Sequence, residues 1–173
     1  INMEIKPRRQ IIEQILPEHA QVILGGTTGA NKSFMAMDMG MSIANDEDEF
    51  FGKKLNVKGL SVLFVDTEIG ADSLVERFQN VKDRNYKNWK ENNRFNLVSK
   101  VGNSINIYDD IEKVIETLQP NVVIIDCLYN TTDGSDITKN HNMFPILQRI
   151  TEIKDKYKCT MVAVHHSNKG GHE

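Results

Sequence analysis

Three groups of residues in this chain have the types and spacing to do chemistry. They are a glycine-rich turn ending in Lys32-Ser33, acids at the ends of apolar runs, and the adjacent pair His165-His166. The turn is GGTTGANKS, Gly25–Ser33, and it nearly spells the phosphate-binding pattern G-x-x-x-x-G-K-[ST]. Such a loop curls successive backbone N–H groups around phosphates, and the helix that follows adds the partial positive charge of its N-terminus. A lysine supplies a point charge to the terminal phosphates, and the next hydroxyl reaches a magnesium ion. The candidate nucleotide-binding set is therefore Gly26, Thr27, Thr28, Gly29, Ala30, Asn31, Lys32, Ser33 and Phe34. Asn31 stands where the pattern has glycine. Asparagine visits left-handed backbone more readily than most residues other than glycine, so a loop of this shape tolerates it. A plain glycine-rich turn before a helix is the competing reading.

Two further segments carry acids. NVVIID ends in Asp126, a carboxylate at a strand end beside the loop, placed to hold Mg²⁺; the alternative is a turn cap. SVLFVDTE offers Glu68 to orient or activate a water, or else an exposed loop acid, while Asp66 is placed to hold the local turn. CTMVAVHHSNK ends a strand with His165 and His166 on opposite sides, so one of them faces the site. From there a histidine can hydrogen-bond a terminal phosphate, or simply pack in the core. Adjacent histidines on a strand point apart and no third ligand is evident, which argues against a metal on the pair. Lys169 reads equally as a solvated lysine, a nucleic-acid contact or a charge offered to a neighbouring subunit.

The elements that must position these groups alternate. Val22–Leu24, Ser61–Asp66, Phe95–Ser99, Asn121–Asp126 and Thr160–His165 read as strands. Lys32–Ala44, a segment carrying Leu74, Phe78 and Val81, the segment from Asp109 to Leu118, and the segment from Met143 to Tyr157 read as helices. Asp109-x-x-Glu112 has capping-box spacing, and Pro145 fits only a first turn. Asn45–Lys58 reads as loop and Asp83–Arg94 as a charged surface excursion. The alternation predicts an α/β fold of three layers, α/β/α, around a mostly parallel sheet, with ligands at the carboxyl ends of the strands. A single domain over 1–173 is expected, with residues 1–20 as a lead-in and 21–169 as the nucleotide-binding core.

Composition bounds the rest. A chain of 173 residues is long enough for one real core. A net charge of −3 advertises no global basic surface for nucleic acid, so such a contact needs a local patch. No apolar run approaches the about 20 residues of a membrane span. Cys127 and Cys159 lack metal-type spacing and suit a reduced, cytoplasmic protein. A start at Ile1 and a stop at Glu173 suit a piece truncated from a longer protein.

In the order GGTTGANKS, LFVDTE, NVVIID, MVAVHHSNK, these motifs resemble the RecA-like P-loop ATPases over nearly the whole chain. HHSNK after the last strand is most similar to the plasmid- and phage-type hexameric replicative helicases of the RepA kind. That resemblance implies ATP and Mg²⁺ as cofactors, Lys32 and Ser33 on phosphate and metal, Glu68 as catalytic base, Asp126 as the metal aspartate and His166 as γ-phosphate sensor. It implies a homo-oligomer, a hexameric ring with ATP between subunits, and loops Cys127–Asn140 and Ser167–Gly171 facing single-stranded DNA in a channel, where Lys139 and Lys169 are the basic residues. Two features depart from the family: Asn31, and a chain that stops before the further strands and basic finger residues. An ATP-gated recombination or assembly module, and a non-hydrolysing nucleotide-binding domain, are the other functions this pattern allows.

Overall fold

Near-continuous apolar runs demand a sheet covered on both faces, and that is what the chain builds. The computed structural model describes residues 7–27, 29–101, 107–128 and 140–167. Five strands, β3 (Gln21–Thr27), β6 (Val62–Asp66), β7 (Phe95–Ser99), β8 (Val122–Asp126) and β9 (Thr160–Ser167), pair in the order β3-β9-β8-β6-β7. Every pairing is parallel. The register sets Asp66 beside Asp126, and Gly26 beside His166, so the strand ends that carry polar residues share one edge of the sheet.

Helices α1 (Lys32–Asn45) and α2 (Ala71–Asn85) cover one face; α3 (Ile107–Leu118) and α4 (Asn140–Tyr157) cover the other. Period-2 alternation divides the strands between two cores. Val62, Phe64, Val122, Ile124, Val162 and Val164 join α1 and α2, whereas Leu63, Val65, Val123, Ile125, Met161 and Ala163 join α3 and α4. The three-layer α/β arrangement expected from the sequence is the one observed. Gly40 lets α1 lie close on the sheet: a Cβ there would meet Ile124 Cδ1 and Phe95 Cε2 at 2.9 Å.

Four local expectations need correction. Asn45–Lys58 is not simply loop, because β4 (Glu49–Phe50) and β5 (Lys53–Lys54) form an antiparallel hairpin and Leu55 bridges to Ile12. Asp83–Arg94 is only in part a surface excursion: most of its residues are exposed, but α2 runs on to Asn85, Tyr86 is buried, and Trp89 packs edge-on against Phe78, Tyr86 and Phe95. Two aromatic anchors outweigh the charged composition around them. Helix α3 starts at Ile107, so Asp109 lies inside the first turn, and Glu112 accepts hydrogen bonds from Arg149, Lys156 and Tyr157 instead of closing a capping box. Helix α4 begins at Asn140, which puts Pro145 beyond the first turn; the bond its missing N–H forfeits is one near the helix start. The lead-in also joins the core. Strands β1 (Gln10–Ile12) and β2 (Leu16–Pro17) pair with each other and bury Ile11, Ile12 and Leu16 against the α1 side.

Candidate active site

The turn between β3 and α1 is set by its backbone. Gly29 has φ of 83°, and Asn31 sits in the left-handed region at φ 55°, ψ 24°, as the N-cap of α1. The asparagine thus takes the backbone the glycine of the pattern would take, at a small cost because its short polar side chain tolerates αL. The Ala30 N–H donates to the Thr27 carbonyl, which closes the curl. Lys32 is only 4% exposed and turns back over the loop, its Nζ donating to the Thr27 carbonyl at 2.6 Å.

One helical residue further, Ser33 Oγ donates to Asp126 Oδ1 at 3.0 Å. A residue of the loop and a residue 93 positions away therefore meet, because β3 and β8 flank β9 in the sheet. Asp126 is fully buried. Burial pushes its carboxyl above the usual carboxylate range, and the nearby acids Glu68 and Asp66 push the same way; the Ser33 hydroxyl and Arg77 oppose them. Two oxygen-bearing groups, a hydroxyl and a carboxylate, thus face one point beside the lysine. That donor set fits a hard cation such as Mg²⁺.

Asp66 holds the turn after β6, as its position suggested. Its carboxylate accepts from the N–H groups of Glu68, Ile69 and Gly70 and from Ser99 Oγ. Those bonds fix the backbone of Glu68 and leave its side chain 43% exposed at the strand edge. Glu68 Oε2 lies 3.5 Å from His166 Nε2. Continuing the alternation of β9 puts His166 on the α1 side and His165 on the α3/α4 side. Among the described residues, neither nitrogen of His166 nor Nδ1 of His165 has a hydrogen-bond partner. His165 is held below the ordinary imidazole pKa by burial and by the charges of His166 and Lys32.

The structure therefore brings together Lys32, Ser33, Asp126, Glu68 and His166 at adjacent strand ends. Phe34, 44% exposed, faces outward beside them. Thr28, Lys139 and Lys169 lie outside the described residues. The residue that sequence reasoning missed is Arg77. Its guanidinium pairs with Asp126 Oδ2 at 3.3 Å and lies over the Phe34 ring at 5.0 Å from the centroid. A signal existed: Leu74, Arg77, Phe78 and Val81 stand at i, i+3, i+4 and i+7, so Arg77 interrupts the apolar stripe of α2. A groove of about 450 Å³ adjoins the loop, lined by Ala30, Asn31, Phe34, Asp38, Asn80 and Arg84 among others.

No described helix is long and apolar enough to cross a membrane. No curated protein sequence matches the chain. Among solved structures it is similar to a KaiC-like protein of the hyperthermophilic archaeon Pyrococcus horikoshii OT3, with a TM-score of 0.66, 18% identity, and coverage of 93% of this chain and 72% of that chain. At that identity the likeness is one of fold. The sequence itself matches the AAA domain family over residues 1–172. The loop and the strand-end acids agree with that match, and the chain belongs to the AAA domain family.

Proposed function

We propose that this domain binds ATP with Mg²⁺ and hydrolyses it, and that it serves as the motor of a homo-oligomeric, hexameric ring on single-stranded DNA, of the RepA-like replicative-helicase kind. The observation that carries the hydrolytic part is the meeting of Ser33 with Asp126 beside Lys32, with Glu68 and His166 paired at the same sheet edge. Lys32 leaves the Thr27 carbonyl to neutralise terminal phosphate charge. Ser33 and Asp126 hold Mg²⁺, which when bound supplies further charge neutralisation at the phosphates. Glu68 accepts a hydrogen bond from the attacking water and orients it in line. His166 donates to a γ-phosphate oxygen. The groove beside Phe34 takes the purine, whose flat face suits the exposed ring.

The motor part is supported by continuity and by resemblance. His166 sits near the end of β9, one residue before Ser167, so a change in its phosphate bond moves the segment that follows. HHSNK supplies the likeness to ring helicases. The test is ATP turnover with and without single-stranded DNA, alongside duplex unwinding. Stimulated turnover with unwinding supports the motor. Stimulation without unwinding supports a recombination or assembly module, and nucleotide binding with no turnover supports a non-hydrolysing domain. Lys32→Ala should abolish tight ATP binding. Glu68→Gln should keep binding and lower turnover by roughly 100-fold or more; equal loss of both would make Glu68 structural.

A further inference from the structure

Three strand ends deliver a second set of donors to the same edge, and its chemistry differs from that of the magnesium pair. One ligand atom each from Glu68, Cys127 and His166 lies within 4.8 Å of the other two. These are a carboxylate oxygen, a thiol sulfur and an imidazole nitrogen. The set is poor for Mg²⁺, which prefers oxygen, and well suited to a borderline-soft ion. We propose that Glu68, Cys127 and His166 form a binding site for Zn²⁺, with three protein ligands and a fourth position open to water.

The geometry is within reach of a tetrahedral site. Zinc bonds of about 2.0–2.3 Å place neighbouring ligand atoms roughly 3.3–3.6 Å apart, so the three groups need to close by about 1 Å. Glu68 Oε2 and His166 Nε2 already stand 3.5 Å apart, so the closing is between that pair and the Cys127 sulfur, and the Glu68 side chain, 43% exposed, has room to follow. Its backbone stays anchored by Asp66. Neither nitrogen of His166 is hydrogen-bonded among the described residues, so ligation there breaks no such bond. Cys127 is 2% exposed and directly follows Asp126 at the end of β8. On binding, the Cys127 Sγ–H proton passes to solvent as the sulfur–zinc bond forms, with no change of oxidation state. The sequence argument against a metal concerned two adjacent histidines. The site uses only one of them and takes its other ligands from the ends of β6 and β8.

Binding of zinc stands on this donor set alone. Its consequence rests on the ATP reading above: an ion holding Glu68 and His166 withdraws both from the water and the γ-phosphate, so zinc inhibits turnover. The experiment titrates ZnCl2 into the nucleotide-free full chain by calorimetry, and Co²⁺ by absorption spectroscopy. One site per chain is expected, with a thiolate-to-cobalt charge-transfer band. Cys127→Ser should remove that band and weaken zinc at least tenfold while retaining Mg-ATP turnover, which zinc then no longer inhibits at the wild-type concentration. Glu68→Gln, at an exposed position that leaves folding intact, should also weaken zinc. A charge-transfer band that survives Cys127→Ser, or zinc binding equal in wild type and both variants, overturns the inference. Cys127-dependent zinc binding in a chain that fails to bind ATP keeps the metal site and removes the ATP reading. ATP turnover without Cys127-dependent zinc binding does the reverse.

Discussion

Arg77→Met tests how the buried carboxylate of the site is kept charged. Methionine preserves much of the length and the apolar contact over Phe34 but removes the guanidinium. At the observed separation of 3.3 Å the pair attracts by about 5 kcal/mol at an effective dielectric of about 20. Part of that attraction only offsets desolvation, because Asp126 is fully buried and the Arg77 side chain is 17% exposed. Ser33 still donates to the other carboxylate oxygen, so the aspartate is not wholly orphaned. The net cost of Arg77→Met should therefore be about 2–3 kcal/mol, at or below the lower end of what breaking a buried pair costs. Urea unfolding of wild type, Arg77→Met, Asp126→Asn and the double variant closes a cycle whose coupling should be about 2 kcal/mol at neutral pH. The pH dependence has a definite sign. Asp126 is raised above its unfolded pKa, so the stability it contributes is fully present below the ordinary carboxylate range and is lost as pH rises through the raised folded value. Wild type should thus gain on Asp126→Asn as pH falls, and the Arg77 coupling should fade over the same interval as the carboxylate protonates. Additivity within about 0.5 kcal/mol at neutral pH would refute the pairing.

Three further outcomes follow from packing, backbone and surface charge. Gly40→Ala gains helix propensity of about 1 kcal/mol but drives a methyl into Ile124 and Phe95; the net should be a loss of about 1–2 kcal/mol in urea unfolding, and a gain would mean that α1 shifts freely. Asn31→Gly should leave stability within about 1 kcal/mol and ATP affinity within a few-fold, whereas Asn31→Val, β-branched at φ 55°, should lose about 1–2 kcal/mol and bind ATP far more weakly in fluorescence titration. Glu112 is held below the usual carboxylate range by Lys156 first, and by Tyr157 and Arg149. Its contribution is present above the unfolded pKa and lost as pH falls through the folded value, so Glu112→Gln should cost about 1 kcal/mol at neutral pH and progressively less in acid.

What was legible in the sequence was whatever a short stretch decides for itself. The left-handed demand at Asn31, the anchoring role of Asp66 and the strands VLFVD and VVIID all follow from local pattern, and each appears as read. Convergence of Ser33 with Asp126 was legible one step further on, once parallel strands were inferred to end at a common edge. Tyr86 and Trp89 escaped because the charged residues between and around them dominate a composition reading, while Tyr86 is buried against Ser42 and Asp38 of α1 and Trp89 meets Phe78 and Phe95. Arg77 escaped for a different reason. An arginine on an apolar stripe is visible, but only the position of β8 across the sheet shows that it answers Asp126.

The polar groups of the site are already engaged with one another, and this shapes what nucleotide affinity can mean. Lys32 bonds the Thr27 carbonyl, Ser33 bonds Asp126, and Asp126 pairs with Arg77. Each would have to be exchanged for a contact with phosphate or metal, so each new bond contributes only its surplus over the one it replaces. Their mutual contacts also satisfy the buried lysine and the buried aspartate within the fold. The exchange makes the curl of the loop, held by Asn31 and the Ala30–Thr27 bond, the part that needs no rearrangement. Preorganisation therefore resides in the backbone, and the adjustable contribution resides in the side chains. Backbone changes at Asn31 should consequently alter nucleotide affinity more steeply than their effect on stability would suggest, while changes at Arg77 should alter stability more than affinity.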